Sequence, residues 1–275
     1  MRFKKMAYPY LLWLAIFIVV PLLLVFYYSV TSGSLSEMGV SFSLASYERF
    51  FTPQYLKILF KSLRLAFITT VLCLLIGYPM AYFIARTKAN IRSTMILLVI
   101  IPMWMNFLLR TYSWLTILSK NGIINSFLGL LGLGPVDMLF TEGAVLIGMV
   151  YNFLPFMVLP IYSVLAKMEL DLEEAAWDLG ANHSQTFWKI KLPMSVPGII
   201  TGITMVFIPA VSTFEISSLL GGNKVSLIGN VIEQQFRVTG DWHFGSSMSM
   251  ILMVLIVISM LITNRFGEEG EGGMW

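Results

Sequence analysis

Charged residues are scarce in this chain. Only 12% of its 275 residues are Asp, Glu, Lys or Arg, whereas an ordinary soluble domain carries roughly 25%. Hydrophobic residues make up 57%, and the mean hydropathy is +0.80. Because so little polar surface cannot cover a water-soluble globule, the composition excludes an ordinary soluble domain. The formal net charge of +3 is also too small to indicate nucleic-acid binding.

Cysteine and histidine are nearly absent. Cys73 is the single cysteine and lies in an apolar run, so it cannot form an internal disulfide or, alone, a zinc site. His183 and His243 have no neighbouring ligand set, and we expect no bound metal. The sequence lacks a phosphate-binding Gly-x-x-x-x-Gly-Lys-Ser/Thr motif and a recognisable serine–histidine–aspartate arrangement. We therefore expect a chain that is not an enzyme and has no cofactor of its own.

Long apolar segments are what the chain has instead. A helix that crosses the hydrocarbon core of a membrane needs about 20 predominantly apolar residues. We predict an all-α integral membrane protein, a single transmembrane domain over residues 1–275. Its approximate spans are 8–30, 62–85, 94–109, 143–166, 196–220 and 246–263.

The predicted topology places both chain termini on the same side of the membrane, because the number of spans is even. The short basic segments 1–5 and 86–92 share that side with the charged segment 167–193. Since short loops rich in Lys and Arg stay in the cytoplasm, we expect a multi-pass protein with both termini cytoplasmic.

The segment 167–193 is a charged island between two apolar spans. Its second part reads EAAWDLGANHSQTFWKIKLP. Carboxylates at its start favour a helix N-terminus, and Gly180 directly follows Leu179, where a helix end favours a residue that tolerates positive φ. Pro193 is expected to end a second short helix. We interpret the segment as a cytoplasmic loop that a separate motor protein contacts.

The spacing in this island resembles the EAA loop of the membrane-spanning subunits of bacterial ABC importers. It runs Glu-Ala-Ala, three residues, Gly180, nine residues, Ile190, one residue, Leu192-Pro193. The alternative is an ordinary amphipathic surface helix followed by a loop. The resemblance implies a binding-protein-dependent permease fold in the bacterial cytoplasmic membrane. It also implies that the residues in contact with the ATPase are Glu174, Ala175, Ala176, Asp178, Leu179 and Gly180.

Three further stretches, 101–114, 139–163 and 219–236, are similar to spermidine/putrescine permeases. Together with the EAA loop they cover most of residues 62–245. The resemblance implies the first of two permease subunits of a polyamine importer, which carries substrate by alternating access. The implied partners are a second permease, two ATPase subunits that hold ATP and Mg, and an external substrate-binding protein.

Glu215 is the only acidic residue well inside a predicted span. An ionisable group within a membrane is costly and usually faces a polar pathway. Pro209 interrupts the helix hydrogen bonds nearby, and Ser212 adds a hydroxyl. We predict that this carboxylate attracts a cationic substrate. The alternative is that Glu215 pairs with a base such as Arg110, or stays protonated against a neighbouring helix.

Aromatic and amide side chains supply the other pathway candidates. An aromatic ring attracts an ammonium group by about 0.5–2 kcal/mol, and Trp104, Tyr151 and Asn152 lie within predicted spans. Tyr112 and Trp114 are assigned instead to the aromatic belt at the membrane interface. That belt is also the alternative for Trp104 and Tyr151.

Two other functions remain open from the sequence. One is an ABC importer permease for another organic cation, iron or an inorganic anion, because the EAA spacing does not specify a substrate. The other is a secondary transporter or channel with no motor. This second class usually needs more than one buried ionisable residue, and it leaves the EAA spacing unexplained.

Overall fold

The computed structural model describes residues 8–33, 41–168 and 171–271. Over these residues, five helices are long and apolar enough to cross a membrane, and a pair of helices bent by 94° supplies a possible sixth crossing. The predicted all-helical membrane fold is confirmed, apart from one small antiparallel pair of strands. The basic segment 1–5 lies outside the described residues.

The helices are numbered here in chain order. α1 begins as Tyr8–Leu14 and continues through a π-helical turn, Ala15–Val19, into Val20–Ser29. The strands β1 and β2 are Thr31–Ser32 and Ser41–Phe42. The other helices are α2 Ala45–Phe50, α3 Pro53–Arg86, α4 Ala89–Trp104, α5 Phe107–Leu118, α6 Ile123–Leu130, α7 Glu142–Leu165, α8 Asp171–Asp178, α9 His183–Ser212, α10 Ile228–Gln234 and α11 Trp242–Glu271.

The core of the bundle lies where α3, α7 and α9 pack together, and α1 packs on α11. Leu65, Met149 and Val206, one from each core helix, are almost completely buried. Small residues let the backbones of α7 and α9 approach closely, as is common between membrane helices. A Cβ atom added to Gly198 of α9 would lie 2.9 Å from the Pro160 carbonyl oxygen of α7.

Four helices begin earlier than the apolar runs that predicted them, and the difference is largest for α3 and α9. α3 starts at Pro53 rather than at residue 62, and α9 starts at His183 rather than at 196. Helices rise about 1.5 Å per residue, so both are longer than the hydrocarbon core, which is roughly 30 Å thick. Hydropathy detects only the part inside the lipid. α7 needs no such correction, because Glu142–Leu165 nearly coincides with the predicted 143–166.

Pro193 does not end a helix, contrary to the expectation from sequence. α9 continues through it because the preceding turn, Phe187–Lys191, is π-helical. In that wider turn the Leu192 amide donates to the Phe187 carbonyl. The changed hydrogen-bond pattern accommodates a residue that has no amide hydrogen.

The third predicted span, 94–109, is interrupted. α4 ends at Trp104, and Asn106 caps the next helix by accepting hydrogen bonds from the Leu108 amide at 2.9 Å and the Leu109 amide at 3.3 Å. An N-cap side chain satisfies amides that have no partner in the helix. The chain therefore turns sharply here, and α5 and α6 run away from the direction of α4.

Candidate transport pathway and coupling site

Glu215 lies just beyond a break in a membrane helix. α9 ends at Ser212, three residues after Pro209, and the backbone at Thr213 is extended. Helical structure resumes before the π-helical turn Ser217–Gly221, so the fifth predicted span, 196–220, is not one continuous helix. Non-helical backbone at membrane depth is tolerated only where it is buried in protein or lines a water-filled cavity. Broken helices of this kind form the substrate sites of many transporters.

Asn230 of α10 fixes the broken segment in place. Its Oδ1 accepts hydrogen bonds from the Ser217 hydroxyl at 2.5 Å and the Leu227 amide at 2.9 Å. Its Nδ2 donates to the Phe214 carbonyl at 2.9 Å and the Ser218 hydroxyl at 2.7 Å. Because one amide side chain satisfies groups at Phe214, Ser217 and Ser218, the segment after Ser212 is held in a defined shape.

The Glu215 carboxylate is half-buried and forms no ion pair among the described residues. The pairing with Arg110 that the sequence left open is not formed. Arg110 is itself buried, its guanidinium lies over the Phe107 ring, and its Nε and Nη1 have no hydrogen-bond partner in the described part of the chain. No cationic side chain of the described residues therefore contacts the Glu215 carboxyl group.

Asn152 of α7 lies close to this region. It is 1% exposed, and its Nδ2 donates to the Gly148 carbonyl at 2.8 Å. Gly148 packs directly on the broken segment, since a Cβ atom there would lie 2.3 Å from Cδ1 of Leu220. Asn152 thus lies one helical turn from that contact. Its Oδ1 is buried without a partner among the described residues.

The aromatic candidates lie elsewhere. Tyr151 lines an apolar cavity of about 580 Å³ between α3, α4 and α7, and its ring packs edge-on against Trp114 at 5.4 Å. Trp104 is 81% exposed at the end of α4 and does not line that cavity. The structure thus places Ser212 and Glu215 at one break and Asn152 nearby, with Tyr151 and Trp104 on separate surfaces.

The Glu-Ala-Ala motif lies on α8, and the two faces of this helix differ. Ala176 is buried, and Leu179, just after the helix, is 89% exposed. Gly180 follows with φ of +80°, a left-handed conformation that favours glycine. Of the residues predicted to contact an ATPase, those on the open side are Glu174, Ala175, Asp178, Leu179 and Gly180.

A capping box starts the next helix and fixes the turn after α8. Oδ1 of Asn182 accepts from the Gln185 amide at 2.8 Å, and Oε1 of Gln185 accepts from the Asn182 amide at 2.9 Å. The His183 ring packs edge-on against Trp177 of α8 at 5.1 Å. Residues 171–193 of the charged island therefore form a folded helix–turn–helix, with His183 in a packing role.

Behind α8 lies an ion-pair cluster that sequence reasoning missed. Oε1 of Glu173 accepts from Nη2 of Arg86, and its Oε2 lies 2.9 Å from Nζ of Lys191. Nζ of Lys191 also donates to the Tyr82 hydroxyl at 2.8 Å. The only signal in the sequence is a carboxylate beside the Glu-Ala-Ala motif and bases at the ends of spans. Nothing in it shows that these residues meet.

Comparison with known proteins identifies one matching family model and several similar permease proteins. Residues 73–267 match the family model described as "Binding-protein-dependent transport system inner membrane component". The chain is 42% identical to the spermidine/putrescine transport system permease protein PotB of Escherichia coli (strain K12), over 91% of this chain and 92% of that protein. It is 40% identical to PotB of Haemophilus influenzae, over 92% and 90%.

Solved structures show the same fold at low sequence identity. A crystal structure of a bacterial ABC transporter involved in the import of the acidic polysaccharide alginate aligns with a TM-score of 0.82 and 17% identity, covering 97% of this chain and 95% of that one. The MetNI methionine ABC transporter in an inward-facing conformation aligns with a TM-score of 0.59 and 17% identity, covering 78% and 95%.

Proposed function

Because this chain belongs to the family of binding-protein-dependent transport system inner membrane components, we propose that it forms part of the membrane path of an ATP-driven polyamine importer. The observation that carries this proposal is the unpaired Glu215 carboxylate at the break after α9. The spermidine/putrescine permeases to which the chain is 40–42% identical support the choice of substrate.

The substrate would pass the broken segment. A polyamine is a flexible chain with several ammonium groups, and a half-buried carboxylate in a medium of low dielectric attracts such a group strongly. Ser212 and Asn152 would offer oxygen acceptors beside it. Tyr151 and Trp104 are the aromatic members of the proposed path. Because these two side chains lie on separate surfaces of this chain, we expect a second permease to complete the cavity, which this chain alone would not enclose.

The motor would bind the open side of α8. Two ATPase subunits that hold ATP and Mg would contact Glu174, Asp178 and Leu179, whose side chains are exposed, and this chain would bind neither cofactor. The small side chain of Ala175 on the open side would allow close approach of the ATPase surface, whereas Ala176 is buried on the other face of α8. In this arrangement α8 and both chain termini would lie in the cytoplasm, together with the basic segment 86–92 at the start of α4.

Transport would proceed by alternating access. A loaded binding protein would dock on the outer segments 111–141 and 221–245, and ATP binding would draw the two ATPase subunits together. Their closure would move α8, and with it the spans, so that the cavity opens outward. Hydrolysis would return the spans to the inward-open state. A solved relative of the same fold, the alginate transporter, is described in complex with a substrate-bound periplasmic protein.

The test is uptake of radiolabelled spermidine and putrescine by cells that lack this chain, with membrane levels of each restored version measured. The intact chain should restore uptake. Glu215→Gln should restore much less, because the amide keeps the shape and removes the charge. The matched control is Glu48→Gln, which removes an exposed carboxylate of α2 and should restore uptake fully.

Two results would contradict the proposal. If the intact chain changes uptake of neither polyamine while an ATPase still co-purifies with it, the substrate assignment is wrong. If Glu215→Gln and Glu48→Gln restore uptake equally, the carboxylate at the break has no part in the path.

A further inference from the structure

Glu173 occupies the face of α8 opposite to the one available to an ATPase. The side chain of Glu173 is 8% exposed, whereas the next residue, Glu174, is exposed. Ala176, one turn further along the same face, is also buried. The two adjacent carboxylates therefore have different surroundings, one directed into the protein and one to its surface.

The partners of Glu173 come from two different spans. Arg86 is the last residue of α3, and Lys191 closes the π-helical turn of α9. Each carboxylate oxygen contacts one of these cations. A single side chain on α8 is thus joined to two of the three helices that form the core of the bundle, at the last residue of α3 and near the start of α9.

Tyr82 completes the cluster. Its hydroxyl accepts a hydrogen bond from Lys191 at 2.8 Å, and its ring lies 5.5 Å from the Arg86 guanidinium carbon and 5.1 Å from Nζ of Lys191. Both cations are therefore held by the same aromatic side chain of α3. The Lys191 side chain is only 7% exposed, so water screens its contact with Glu173 very little.

We propose that Glu173 is the positioning residue that fixes α8 to α3 and α9, so that movement imposed on α8 is passed to the spans. The inference rests on the proposed function, in which an ATPase moves α8. Removing one partner of a buried ion pair leaves a buried charge uncompensated. Without the Glu173 carboxylate, Arg86 and Lys191 repel each other, and α8 can move without moving the spans.

The experiment compares variants of the complete importer in proteoliposomes, with ATP hydrolysis and polyamine uptake measured on the same sample. For Glu173→Gln we expect an assembled complex that still hydrolyses ATP, with uptake per ATP hydrolysed lower by about tenfold, within the usual range of coupling effects. Arg86→Gln leaves Glu173 in contact with Lys191 and should give a smaller loss. It also provides the test if Glu173→Gln does not assemble.

The matched control is Glu142→Gln. Glu142 also contacts two cations of α3, Lys61 and Arg64, but at the other end of that helix and with a carboxylate that is 41% exposed. Exposed ion pairs contribute little, so this variant should keep the wild-type ratio of uptake to ATP hydrolysis.

A covalent link provides a rescue that a purely stabilising role would not predict. The double variant Arg86→Cys and Glu173→Cys should be uncoupled, and a bifunctional thiol reagent that spans the two positions should restore uptake per ATP. The natural Cys73 is buried and should not interfere.

The wild-type measurement distinguishes a failure of the proposed function from a failure of the positioning role of Glu173. If wild-type proteoliposomes import no polyamine, the proposed function is wrong. If wild type imports polyamine and Glu173→Gln has the same uptake per ATP, or loses uptake and hydrolysis in equal proportion in an assembled complex, the positioning role of Glu173 is wrong.

Discussion

At the scale of single residues, Gly180 has the most direct conformational requirement. Its φ of +80° ends α8, and a Cβ atom added there would meet nothing within 4 Å. A side chain at this position therefore causes backbone strain without a clash. Left-handed backbone costs an ordinary L-residue roughly 1–2 kcal/mol, and β-branched residues are the least suited to it.

We expect Gly180→Val to weaken coupling while Gly180→Asn keeps most of it, because asparagine tolerates the left-handed region. A strain of 1–2 kcal/mol changes a conformational equilibrium by roughly 5- to 30-fold. Uptake per ATP hydrolysed in proteoliposomes should therefore fall severalfold for valine. Equal ratios for the two variants, at equal assembly, would show that the turn conformation does not matter.

Residues differ in how far the sequence alone predicts their surroundings. Glu215 was identifiable because one carboxylate in a long apolar run stands out, but the break after Ser212 lies within a span that was predicted as continuous. Glu173 was not identifiable, because its partners Arg86 and Lys191 come from other helices. Contacts between residues distant in the chain depend on how helices pack, which local pattern does not determine.

At the scale of elements, the close contact between α7 and α9 depends on a glycine, Gly198, which has no side chain. A Cβ atom on Gly198 would lie 2.9 Å from the Pro160 carbonyl oxygen and 3.1 Å from Cα of Ile161. These are backbone atoms, so a whole helix must move to make room. Overpacking of this kind typically costs about 1–3 kcal/mol.

Gly198→Ala should therefore lower the thermal stability of the detergent-solubilised protein. The matched control is Gly129→Ala in α6, where a Cβ atom meets nothing within 4 Å and alanine is the better helix former. The midpoint of thermal unfolding should fall for the first variant and stay or rise for the second. Equal midpoints would mean that the close approach of α7 and α9 contributes nothing.

The bounds of a helix were predictable where hydropathy determines them. They were not predictable where local hydrogen bonds determine them. α7 follows its apolar run closely, whereas the end of α4 depends on the cap at Asn106 and the passage through Pro193 depends on a π-helical turn. Both are features of one or two residues within a longer pattern, so a window that averages hydropathy does not detect them.

At the scale of the whole molecule, the two candidate regions share the helix α9. Its first residues belong to the turn after α8, and its last residue, Ser212, lies at the break beside Glu215. Lys191, near its start, is tied to Glu173. A continuous helix of 30 residues therefore joins the coupling island to the proposed substrate segment.

The most direct test of this account is the initial rate of labelled spermidine uptake into proteoliposomes that contain the complete importer. ATP is supplied only to the face that carries α8, and binding protein only to the opposite face. We predict uptake that requires both and stops when ATP is replaced by a non-hydrolysable analogue. Equal uptake without ATP, or ATP-dependent import of another solute but of no polyamine, would contradict the account.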